Sequence, residues 1–73
     1  MSETWKNRWD IWTLPVDAEG KPRGTWLMEA IVHTDNPETA RVEALRHWRP
    51  GKRVEIRNLI EGSIAIVPKE VAL

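Results

Sequence analysis

Asn36-Pro37-Glu38-Thr39-Ala40-Arg41-Val42-Glu43-Ala44-Leu45-Arg46-His47-Trp48-Arg49-Pro50-Gly51 is the stretch on which the fold turns. It opens with a capping side chain, a proline at the first helical position and an acid in the electropositive first turn. Ala40, Ala44, Leu45 and Trp48 follow at helical spacing, and Pro50-Gly51 ends the run. This spacing predicts one helix over about Pro37–Trp48.

On either side the pattern changes to that of strands. Trp9–Val16 is rich in strand formers, with Pro15 suited to an edge or a strand end. Asp17–Gly24 gathers Gly, Pro and charge into a turn too long for a two-residue hairpin loop, and its tip is expected to be flexible. Thr25–Thr34 reads as a second strand, antiparallel to the first. After the helix, Arg53–Ile60 alternates charged and apolar residues, Glu61-Gly62 forms a tight turn, and Ser63–Val67 is a short strand closed by Pro68. The expected fold is α+β, in the order β-β-α-β-β: a four-stranded mixed sheet with one helix packed on one face. The 73 residues make a single domain, 1–73, with 1–8 and 69–73 as loosely docked ends.

Composition narrows the function classes. There are no cysteines, which removes disulfides and cysteine-based zinc sites and fits a reducing compartment. The start of the chain lacks an apolar leader, and no apolar run approaches the ~20 residues of a membrane span. A cytoplasmic location without membrane association is therefore expected. Eleven basic and eleven acidic residues cancel, but unevenly: residues 1–40 carry a net −3 and residues 41–73 a net +3. Five tryptophans accompany no Phe or Tyr. Trp12, Trp26 and Trp48 are assigned to the core, Trp5 and Trp9 to the surface.

Catalytic signals are poor. No serine sits in a nucleophile elbow, no zinc-protease or paired-carboxylate pattern occurs, and the glycines are scattered turn residues. His33, His47 and Asp35 match no metal-ligand spacing. No enzyme activity, cofactor or metal is expected.

Binding signals are stronger. One helix, ~10–12 Å wide, cannot cover both faces of a four-stranded sheet. Strand parity assigns Trp12, Leu14, Val16, Trp26, Met28, Ala30, Val32, Val54, Ile56, Ile64 and Ile66 to the helix side. The other face then shows Trp9, Ile11, Leu27, Ile31, Leu59 and Val67 among charged residues, an apolar patch suited to a homodimer or another protein partner. If the first strand were an edge, it could also accept a partner strand. In size and architecture the chain resembles many accessory and phage-encoded proteins that bind a host protein. The second reading is a nucleic-acid module built on Arg46, Arg49, Lys52, Arg53 and Arg57, with Trp5 as a base-stacking ring. Zero net charge, and the structural use of cations at a helix C-terminus, weigh against it.

Overall fold

The computed structural model describes residues 4–68, with side chains from Lys6 onward. The expectations for Trp5 as a contact residue and for a loosely docked 69–73 lie outside the described side chains. A single 3-10 turn, Thr4–Asn7, leads into β1 (Arg8–Pro15). Then come β2 (Leu27–His33), α1 (Pro37–Leu45), β3 (Lys52–Asn58) and β4 (Gly62–Ile66). The α+β class and the element order follow the sequence reading.

The sheet order is β2-β1-β3-β4, and all neighbours are antiparallel. The sheet is thus not mixed. Because β2 and β3 both run opposite to β1, they run parallel to each other, and α1 carries the chain from one to the other past β1. The crossover skips a strand, as in a split β-α-β unit. It also makes β1 a central strand, so it has no free edge for a partner. Pro15 fits because it stands at the strand's last position, opposite Lys52.

Local chemistry sets the connections. In the β1–β2 loop, Asp17 Oδ1 accepts from the amides of Glu19 and Lys21, both at 2.9 Å. Gly20 adopts φ 84°, and its carbonyl accepts from Arg53 Nη2 at 2.7 Å. The loop expected to be flexible at its tip is therefore tied to β3.

At the start of α1, Asn36 Oδ1 accepts from the Glu38 amide at 3.0 Å, closing the cap read from sequence. The helix stops at Leu45, three residues short of expectation. His47 N–H donates to Ala44 O and Trp48 N–H to Leu45 O, the tighter i→i−3 pattern. Pro50 keeps the helix from resuming beyond this turn, since the residue before a proline, Arg49, is pushed out of the helical region. Gly51 then takes φ 89° into β3.

The core lies between α1 and one side of the sheet. Ala40 and Ala44, both fully buried, let the helix sit close. Beneath them are Trp9, Ile11, Val54, Ile56 and Ile66, with Ala30, Val32, Val42, Leu45, Trp48 and Ile64 around the margin. Trp9 is 2% exposed and Ile11 0%. Both were expected on the opposite face, so the parity of the first strand is corrected by one residue. The reason is electrostatic. Asp10 alternates with Trp12 and Leu14, and the expected register would have pushed its carboxylate under the helix, where an unpaired charge is costly. Thr13 takes the buried position instead, fully enclosed, its hydroxyl donating to Glu29 Oε1 at 2.9 Å.

At the N-terminal end the backbone of Lys6 and Arg8 is held by a side chain of β3. Asn58, 7% exposed, donates through Nδ2 to Lys6 O (3.1 Å) and Arg8 O (2.9 Å). Its Oδ1 accepts from the amides of Ile60 (2.8 Å) and Glu61 (2.9 Å). One amide side chain thus closes the β3–β4 turn and holds the entry to β1.

Candidate interaction surface

The sheet face away from α1 is built by the other parity. Asp10, Trp12 and Leu14 of β1 stand opposite Arg57, Glu55 and Arg53 of β3. The Arg57 guanidinium lies 4.6 Å from the Trp12 ring centroid and 5.0 Å from that of Trp26. A cation held against two indoles is stabilised by the ring quadrupoles, increasingly so as water is excluded. Arg57 Nε also donates to Glu55 Oε1 at 2.7 Å, and Arg8 pairs with Asp10 at 2.7 Å. Trp12 and Trp26 are therefore half-buried on this face, not under the helix. Leu14 beside them is buried. This face is an aromatic and charged layer in which Arg57, Glu55, Arg8 and Asp10 are paired, while the buried Trp12 Nε1 has no hydrogen-bond partner among the described residues. It is not the broad apolar patch expected from Trp9, Ile11, Leu27, Ile31, Leu59 and Val67.

Those six residues are dispersed. Trp9 and Ile11 are in the core, and Val67 is half-buried just beyond β4. Leu59, 80% exposed, stands beside Ile60 at the β3–β4 turn and walls a shallow depression with Arg8, Asp10, Trp12 and Arg57. Leu27 and Ile31 belong to β2, where the exposed large apolar side chains concentrate: Leu27 at 54%, Met28 at 46% and Ile31 at 42%.

β2 is exposed because it is an edge, and it is irregular because of a bulge. Ile11 pairs with Ala30 but Trp12 pairs with Met28, leaving Glu29 as an extra residue. The bulge shifts parity along the strand. Ala30 and Val32 keep to the helix side, as expected, while Met28 stands opposite Trp12 and Leu27 opposite Thr13. The carboxylate of Glu29, the acidic residue within β2, is drawn back to the Thr13 hydroxyl. The usual guards of an edge strand are charge, proline and bulges. Here the one carboxylate of the strand is exposed but engaged by the Thr13 hydroxyl, and it stands with the bulge at the Leu27–Glu29 end, leaving Ala30–His33 without either guard.

The basic segment is not one assembled cluster. Arg46 pairs with Glu43 at 3.6 Å. Arg49 Nη1 donates to the carbonyls of Arg46 (3.1 Å) and Trp48 (2.6 Å), satisfying the end of the helix. Arg53 holds Gly20, Arg57 lies between the two indoles, and Lys52 is half-buried at the far end of β3. Each arginine has an intramolecular task, which lowers its availability to phosphate.

Sequence reasoning missed Asn58 and the Trp12–Arg57–Trp26 stack. An Asn at the end of a strand run, just before a turn, is a known turn-closing signal and was readable. The stack joins residues far apart in the chain and had no local signature. Among the described residues no group of three or more His, Asp or Glu converges as a metal site, and no helix is long and apolar enough to cross a membrane. None of the known family models, curated proteins or solved structures matches this chain.

Proposed function

We propose that this chain is a small non-catalytic module that binds another polypeptide through β2, the open edge of its sheet. The observation that carries the reading is a strand that, among the described residues, has no neighbour on its outer side and whose Leu27, Met28 and Ile31 remain about half exposed. An edge of this kind gives affinity through main-chain hydrogen bonds and selectivity through alternate side chains. The rest of the molecule acts as its support: α1 and the core fix one side of the sheet, and the Arg57 stack fixes the other.

Selection of peptide ligands from a random library on the immobilised protein tests this. Ligands of extended, apolar-alternating sequence should emerge and lose at least about tenfold in affinity with Ile31→Lys, while Arg49→Ala leaves them unchanged. Ligands insensitive to Ile31→Lys would overturn it. A parallel titration with oligonucleotides at two salt concentrations should show no binding. Affinity that falls steeply with salt would instead favour a nucleic-acid module.

A further inference from the structure

We infer that a second copy of this chain is an occupant of the β2 edge, paired antiparallel about a two-fold axis at Val32. The inference rests on the reading of β2 as the binding edge and adds the partner and the register.

Backbone direction fixes the register. Thr34 N–H donates to Asn7 O at 2.8 Å, and Trp9 pairs with Val32 and Ile11 with Ala30 in the same register. In an antiparallel ladder, hydrogen-bonded and non-bonded pairs alternate. The N–H and C=O of Ala30, Val32 and Thr34 therefore point toward β1, while those of Ile31 and His33 point away from it. An axis at Val32 sets Ile31 against His33 of the other copy and His33 against Ile31, using all these outward groups in four hydrogen bonds. An axis at Ile31 would bond only its central pair, because His33 would meet the bulged Glu29.

Side chains agree with this register. Val32 meets its own symmetry mate as a close, non-bonded pair on the helix side, and Ala30 meets Thr34. Within Ala30–His33 there is no Lys, Arg, Asp, Glu or Pro to oppose pairing. Beyond it, Asp35 faces the bulged Glu29 of the other copy, so the ladder ends there. The opposite edge is a poorer candidate: the exposed residues of β4 are Gly62, Ser63 and Ala65, with no large apolar group. A stable interface buries about 800 Å² per partner. One short edge with a few half-exposed side chains offers less, so the dimer is weak, with a dissociation constant on the order of 10–100 µM.

The chain has no cysteine, so a single introduced thiol reports the geometry directly. Cα atoms of a non-bonded antiparallel pair lie ~4.5 Å apart, within disulfide reach. At about 100 µM under mild oxidation, Val32→Cys should form a covalent dimer at least about tenfold faster than Ala65→Cys. Accessibility alone would favour the reverse, because Ala65 is exposed and Val32 half-buried. Equal rates, or a faster Ala65→Cys, overturn the proposal. Sedimentation equilibrium of the unmodified chain supplies a second measurement: mass should rise with concentration and stay monomeric in Ile31→Lys. A wild-type monomer up to 1 mM refutes self-pairing, while peptide ligands sensitive to Ile31→Lys would still leave the edge as a binding site.

Discussion

β1 and β2 are hydrogen-bonded neighbours, and β2 is the richer of the two in aliphatic side chains. Yet β1 buries Trp9, Ile11, Thr13 and Leu14, whereas β2 leaves Leu27, Met28 and Ile31 in water. Composition does not explain this. β1 has a strand on each side, while β2, among the described residues, has a strand on one side only. Place in the sheet decides burial, and apolar content in a poorly placed strand becomes contact surface.

The contrast can be broken by substitution. Ile11→Ala should cost about 3 kcal/mol through lost burial and a residual cavity. In a domain of this size that lowers the melting temperature by roughly 12–24 °C, as calorimetry would show. A loss under 1 kcal/mol would mean that the core is not centred on β1. Asn58→Ala should cost about 2 kcal/mol, since four backbone groups lose their partner at once. Denaturant unfolding would record it, and faster amide exchange at Ile60 and Glu61 would locate it. Ile31→Ala should change stability by no more than about 0.5 kcal/mol, as expected for a surface position. An effect comparable to Ile11→Ala would show that Ile31 is already covered, by self-association or otherwise.

The legibility of the sequence follows the same division. The helix was readable because its signals are local: Asn36 as cap, Pro37 at the first position, Ala40 and Ala44 four apart. β3 was readable because Val54 and Ile56 alternate with Arg53, Glu55 and Arg57, so parity had one answer. In β1 the apolar residues fall on both parities, Trp9 and Ile11 on one, Trp12 and Leu14 on the other. Only the fate of Asp10 distinguishes them, and a carboxylate denied a place under the helix was the available clue. In β2 the extra residue at Glu29 defeats period-two reasoning, because a bulge leaves no mark on hydrophobic alternation. The candidate surface inherited both difficulties. Leu27 and Ile31 are exposed on an edge strand and Leu59 at a turn, not on one face with Trp9 and Ile11, which are buried.

The central pairing of β1 with β3 also bears on how the chain reaches this state. Asp10 meets Arg57, and Asn58 reaches back 52 and 50 residues to Lys6 and Arg8, so the middle of the sheet joins segments far apart in the chain. Closing so large a loop lowers the folding rate of small domains. During synthesis the first hairpin emerges well before β3 is available, and Trp9 and Ile11 wait uncovered in the meantime.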